Sequence, residues 1–207
     1  MQYILRVLRD PAPPLDGRLA RSVRARTAVV DALLDLIEEG DLRPTAPRIA
    51  ERAGVSLRLV FHHFQDLEAL FAAAAERQFA RHYRGLGPLP EGGPLAGRLA
   101  AFVRRRTRVL ERITPVRRAA LLMEPFSPEV AARLTAVRAQ AHAETMRVFA
   151  PELAACPARH RRDLVAALGA VAGWSTWHAL RAHQRLSRAR ATQVLTRMLT
   201  ALLQEGT

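Results

Sequence analysis

Lysine is missing from this chain: its 32 basic residues are all arginine. Such usage is what a genome rich in G and C produces, so a run of arginines is not by itself a sign of a selected site. Cysteine is reduced to Cys156, which excludes an intramolecular disulfide framework and suits a reducing cytoplasm. No stretch reaches the roughly 18 unbroken apolar residues of a membrane helix. The apolar start at Met1 is interrupted by Arg6 and Arg9 and followed by Pro11, Pro13 and Pro14, which argues against a secretory signal. Segments with β periodicity are lacking, which leaves an all-α fold. A nucleophile signature and a metal-spaced histidine pair are lacking too. His178 and His183 are five apart, on different faces of an α-helix, and His62 and His63 should point opposite ways. The expectation is a protein with no catalytic residues, no metal and no cofactor.

Apolar residues make up 49% of the 207, enough for one substantial domain or two small ones sharing a core. The net charge of +13 is unevenly spread. Through Arg84 there are 13 Arg against 11 acids, and beyond it 19 against 8. Global charge is therefore no argument for a nucleic-acid partner. Local charge is more telling: Arg18, Arg21, Arg24 and Arg26 precede Asp31, Asp35, Glu38, Glu39 and Asp41, so basic and acidic ends can face opposite ways.

Residues 1–17 read as an arm closed by prolines. A helix follows from about Leu19 to Glu39, with Val29, Ala32, Leu33, Leu36 and Ile37 on one face and Gly40 as its stop. The stretch from Thr45 to Phe64 reads as two short helices around Gly54, with Thr45 and Ser56 able to accept backbone N–H bonds at their starts. Ile49, Ala50 and Ala53 face Val60 and Phe64 across the turn, and Val55 plugs the corner. Leu57, Arg58, Phe61, His62 and His63 remain outward, the arrangement of a recognition helix aimed at a major groove. Asp66 can cap a fourth helix to about Arg84, with Leu67, Leu70, Phe71, Ala74, Ala75 and Phe79 inward.

Four Gly and three Pro between Gly85 and Pro94 make a loop. Further helices are expected over Leu95–Ile113, ended by Thr114–Pro115, over Val116–Glu124, and from Ser127–Pro128 to about Ala150. Pro151 and Pro157 break the chain. A long helix over His160–His183 and a last one from Ser187 to Leu203 complete about nine.

The run G-x4-T-x3-I-A-x2-A-G-V-S-x4-F-x-H-F, here Gly40, Thr45, Ile49, Ala50, Ala53 to Ser56, Phe61, His63 and Phe64, resembles the N-terminal domain of TetR-family transcriptional regulators. The resemblance continues through Asp66, Glu68, Ala69 and Leu70 and covers about residues 20 to 84. Three positions depart from it. The family usually has Tyr at Phe61, often Thr at Leu59, and Lys at Leu67, all groups that touch the DNA backbone. The resemblance implies a 1–17 arm, an 18–65 helix-turn-helix DNA-binding domain, and a 66–207 helical effector-binding and dimerisation domain in which 66–84 is the connecting helix.

On that basis Leu57, Arg58, Phe61 and His62 would meet base edges of a double-stranded operator, with Arg21, Thr45, Arg48 and His63 on phosphates and Ser56 at the helix start. The small residues Gly169, Ala170, Ala172 and Gly173 beside Leu168 and Trp174 permit close helix packing, and the resemblance implies a homodimer. An unknown small-molecule effector would sit among Phe102, Leu122, Phe126, Met146, Trp174, Trp177 and His178. The expected function is a ligand-responsive transcriptional regulator of the cytoplasm, a repressor released from a palindromic operator. The alternatives are a helical interaction protein that has lost DNA binding, suggested by Leu59, Phe61 and Leu67, and an enzyme.

Overall fold

The computed structural model describes residues 17–83 and 86–205, so the 1–16 part of the expected arm lies outside the described residues. Ten α-helices and no strands occur among those described. They are α1 Gly17–Glu38, α2 Ala46–Ala53, α3 Leu57–His63, α4 Leu67–Tyr83, α5 Leu95–Met123, α6 Pro128–Val148, α7 Ala150–Ala155, α8 Ala158–Val171, α9 Trp174–His178 and α10 Arg188–Glu205. The side chains of Arg18, Phe79, His82, Tyr83 and Glu205 are outside the described set.

Two cores divide the apolar residues. The first joins Val29, Leu33, Leu36 and Ile37 of α1 to Ile49 of α2, Val60 of α3, and Leu70, Phe71 and Ala74 of α4. It also takes in Val116, Ala119 and Ala120 of α5 and Val130 and Leu134 of α6. The second gathers Leu99, Phe102, Val103 and Leu110 of α5 with Val148, Phe149, Leu168, Trp177 and the Leu195–Leu199–Leu203 row of α10. Cys156 is buried in it, 1% exposed, as a small apolar side chain.

Helix α5 therefore enters both cores, and this explains the largest departure from the expected elements. Thr114–Pro115 was expected to end a helix, yet α5 runs on through Pro115. A proline removes one helix hydrogen bond and crowds the preceding turn, at a cost of about 3 kcal/mol. Burial of Leu110 on one side and of Val116, Ala119 and Ala120 on the other offsets that local cost, because several buried side chains contribute about 1–3 kcal/mol each.

Two other expectations change in the same way. Pro151 does not break the chain but sits in the first turn of α7, where a missing N–H costs nothing. The expected His160–His183 helix is interrupted at Ala172–Gly173, and its end is a π-helical turn over Ala179–His183, in which Gln184 N–H donates to the Ala179 carbonyl at 2.9 Å. The wider turn puts residues five apart on one face. His178 and His183 accordingly lie with ring centroids 5.3 Å apart, correcting the expectation that their spacing separates them. No group of three or more His, Cys, Asp or Glu able to hold a metal occurs among the described residues, and none of their helices is long and apolar enough to cross a membrane.

Candidate functional site

The turn between α2 and α3 is built as its residues demand. Gly54 has φ 66° and ψ 33°, left-handed, and the Gly54 N–H donates to Glu51 while Val55 N–H donates to Ala50 at 3.0 Å. These paired bonds satisfy the last carbonyls of α2 and set the angle at which α3 leaves. Gly40 ends α1 in the same way, with φ 103° and the Asp41 N–H bonded to Leu36 at 3.0 Å. Ser56 starts α3 by accepting from Leu59 N–H at 3.2 Å. Thr45 flanks α2 but its hydroxyl makes no capping bond, so the expected cap is not formed and the exposed hydroxyl stays available to a ligand.

Along α3, Val60 is 1% exposed and Phe64, which follows it, 3%, whereas Leu57 and Phe61 are 41% and 47% exposed. Arg58 and His62 are exposed on the same short helix. His63 is set differently. It is half-buried, its Nε2 lies out of solvent without a hydrogen-bond partner, and its ring meets His62 edge-on at 5.3 Å. The two imidazoles do not point opposite ways as expected, and His63 Nε2 reaches no phosphate unless the ring turns. Arg26 of α1 lies over the Phe64 ring at 4.8 Å, which places the basic half of α1 beside the end of α3.

Ion pairs sort the arginines of the head, helices α1 to α4, into two groups. Asp31 takes Arg77 at 2.5 Å and Arg81 at 2.7 Å, Glu39 takes Arg52 at 2.7 Å, and Asp41 takes Arg48 at 3.4 Å. Arg21, Arg24 and Arg58 are exposed and form no ion pair among the described residues. Asp31, Glu39 and Asp41 are thus met by arginines of α2 and α4, while exposed Arg43, just before α2, like Arg21, Arg24 and Arg58, has no ion pair among the described residues. Arg48, 59% exposed on a long pair, can exchange Asp41 for a phosphate at small cost.

Burial is the main cause that holds the His63 pKa below its ordinary value, and the His62 and Arg26 charges push it the same way. The fold therefore favours the neutral ring. The stability that this contributes is complete above the unfolded-state pKa of about 6.5 and is lost as pH falls through the lower folded value. Thermal melts between pH 7.5 and about 5 should show a steeper loss of Tm in the wild type than in His63→Gln; equal slopes would mean that His63 is free to charge.

A second candidate site is a cavity of about 700 Å³ between α5, α6 and the α8–α9 junction. Arg106, Leu110, Ile113 and Arg117 project from α5 at spacings of one helical face, and Thr135, Arg138, His142 and Thr145 do so from α6. Gly169, Ala170, Ala172, Gly173 and Trp174 close the third side. Those small residues, expected to serve helix packing, leave the room for the cavity. A β-carbon at Gly169 would stand 3.0 Å from His142 Nδ1.

Of the seven expected effector residues, Trp174 alone lines this cavity. Phe102 and Trp177 are core at 0% and 1% exposed, Met146 packs against that core, and His178 stacks on Trp174 at 4.4 Å. Leu122 and Phe126 are on the surface, 41% and 77% exposed. Large apolar side chains fill space, whereas the cavity is edged by arginines and small residues. The sequence signal for this cavity is a mixed Arg and apolar face at 106, 110, 113 and 117 opposite a polar face at 135, 138, 142 and 145.

Residues 29–74 match the family model described as bacterial regulatory proteins, tetR family. The chain carries the TetR N-terminal domain. The resemblance read from Gly40 to Phe64 is thereby borne out, and the matched segment contains the whole helix pair with the acidic half of α1 and the first half of α4. Likeness in fold to solved regulators extends well beyond that segment. A transcriptional regulator from Rhodococcus sp. Rha1 superposes with a TM-score of 0.64 at 20% identity, covering 89% of this chain and 96% of the other. A tetR-family transcriptional regulator from Streptomyces coelicolor gives 0.59 at 22% identity, with coverage of 86% and 79%. The multidrug binding protein EbrR, in complex with imidazole, gives 0.57 at 19% identity, with coverage of 91% and 96%. Among curated proteins none matches the chain.

Proposed function

We propose that this TetR-type chain regulates transcription as a homodimer that holds a palindromic operator and is released from it by a small molecule in the α5–α6 cavity. The observation that carries the reading is the outward row of α3: Leu57, Arg58, Phe61 and His62 stand in solvent on a helix whose start and preceding turn are fixed by bonded caps. A stiff short helix with unspent donors and apolar tips suits a groove in which base edges present acceptors and thymine methyls. Thr45, Arg48, Arg21 and Arg24 are the candidates for phosphates.

Dimerisation is supported by α10. Thr192, Thr196 and Thr200 form a stripe whose hydroxyls donate to the carbonyls four residues back at 2.8, 2.8 and 2.9 Å, which leaves methyl groups outward beside Ala201. Two such faces can approach closely about a two-fold axis, and two heads on one duplex are spaced by about one helical turn.

The route from cavity to head is continuous. Arg117 is followed directly by Arg118 and preceded by Val116, which is buried in the head core with Ala119 and Ala120. Helix α4 is tied to α1 through Asp31 and to α6 through the Glu76–Arg133 pair. A ligand that draws α5 and α6 together shifts α4 against the head, with a leverage of about 1–3 kcal/mol. A second reading, a helical interaction protein without DNA binding, is favoured by the exposed apolar Leu57 and Phe61 and by the missing polar groups at Leu59 and Leu67.

Gel-shift titration against the DNA flanking the chain's own gene, at two salt concentrations, separates the two. A specific complex that weakens steeply with salt is expected, and no preference over random duplex would leave the interaction reading. In the same assay Phe61→Tyr, which adds a hydroxyl at an exposed position, should tighten binding by about 0.5–1.5 kcal/mol. No gain would place position 61 away from the DNA backbone.

A further inference from the structure

Charges around the cavity do not balance. Arg106 donates to the Ala141 carbonyl at 2.8 Å and the Thr145 hydroxyl at 2.9 Å and pairs with Glu144 at 3.3 Å. Glu144 is shared with Arg105 at 2.8 Å, and Arg138 pairs with Glu124 at 2.9 Å. Arg117 is half-buried between them with no hydrogen bond or ion pair among the described residues. Its guanidinium lies over the Trp174 ring at 5.8 Å, a cation–π contact that acts through the charge and leaves its five N–H donors unspent. Burial first, and the charge of Arg138 second, act to lower its pKa, with Glu124 opposing, but a guanidinium keeps its proton in a protein. No carboxylate lines the cavity among the described residues.

A partly desolvated cation with no ion pair of its own among the described residues is costly, and here it borders a space the size of a drug-like ligand whose other walls are Val109, Leu110, Ile113 and Val137. We propose that the cavity takes an organic anion, an apolar body bearing one carboxylate or sulfonate, with the acidic group on Arg117 and the body against Leu110, Ile113 and Trp174. The arginine fork matches a planar or trigonal oxyanion bidentately, and Trp174 supports its far side. The proposal rests on the effector reading of the same cavity and adds the class of ligand. It also gives the ligand a point of action, since the residue that would be neutralised is the chain neighbour of Val116 in the head core.

Fluorescence titration of the full chain with two probes tests it: 8-anilinonaphthalene-1-sulfonate, and N-phenyl-1-naphthylamine, the same ring system without the sulfonate. The wild type should bind the anionic probe about tenfold more tightly than the neutral one. Arg117→Gln should erase that preference and leave the neutral probe unaffected, Arg117→Lys should restore part of it, and Ala170→Trp at the cavity rim should weaken both probes. Removal of an unpaired charge should leave the Tm of Arg117→Gln equal to or above the wild type, so loss of fold does not confuse the result. Equal affinity for the two probes, or a sulfonate preference that survives Arg117→Gln, overturns the anion proposal. If the neutral probe alone binds in the cavity and frees DNA, the effector reading stands without it. If Ala170→Trp changes neither probe, both fail.

Discussion

Arg58→Ala should weaken binding to the specific operator by about 1–3 kcal/mol while binding to random-sequence duplex changes far less. Arg58 is exposed at the second position of α3 and pairs with no acid among the described residues, so its replacement by Ala removes no internal bond. The fold of the head should be untouched, because α3 is anchored by Val60 on the opposite face, Phe64 at its end and the Ser56 cap. On the proposed reading what is lost is a fork of donors at the groove floor, which discriminates between bases. The comparison is the double replacement Arg21→Ala and Arg24→Ala. Those exposed side chains on α1 are candidates for phosphates, and their loss should lower specific and random binding alike and flatten the salt dependence. Competition gel shifts at two salt concentrations read both outcomes. Equal losses on specific and random DNA for Arg58→Ala would move Arg58 to the backbone class and take base readout away from α3.

The head was legible in the sequence because its rules are local. A glycine needed in a left-handed turn, a serine at a helix start and apolar residues four apart each act within a few residues, and Gly54, Ser56, Val60 and Phe64 stand as those rules require. Even there, long-range effects escaped. His63 is half-buried, with burial first and the His62 and Arg26 charges next lowering its pKa, and the pairing of Asp31 with Arg77 and Arg81 joins residues 46 and 50 apart in the chain. Beyond the head, local rules gave the wrong boundary at Pro115, since the burial on either side of it is set by two cores that the sequence does not announce. The expected effector residues and the lining of the α5–α6 cavity differ for a related physical reason. From the sequence, aromatic and Met side chains are expected around a ligand, but a chain of this size needs its largest apolar groups as filling, and Phe102, Phe149 and Trp177 are fully buried as such.

The second large effect lies in the second core, where α5, α6 and α7 meet the 86–94 loop. Arg98 is 3% exposed and Glu152 10%, and they form a bidentate pair, Nη1 to Oε2 at 2.9 Å and Nη2 to Oε1. Arg98 also donates to the Val148 carbonyl and, through Nε, to the Gly93 carbonyl at 3.1 Å. One guanidinium thus fastens the loop, the end of α6 and α7 at once. Glu152→Ala strands that charge among Leu99, Val148 and Leu153, and urea denaturation should show a loss of about 3–5 kcal/mol, a large part of the 5–15 kcal/mol that a domain usually has. Replacing both partners by apolar residues of similar size, Arg98→Met with Glu152→Leu, should recover most of the loss, because the cost of the single change is the unpaired charge and not the absent attraction. The head core should keep its packing in both variants, so at temperatures below their unfolding they should still bind DNA as the wild type does. A loss under about 1 kcal/mol for Glu152→Ala would mean that water reaches Arg98 and that the loop, not the pair, holds this corner together.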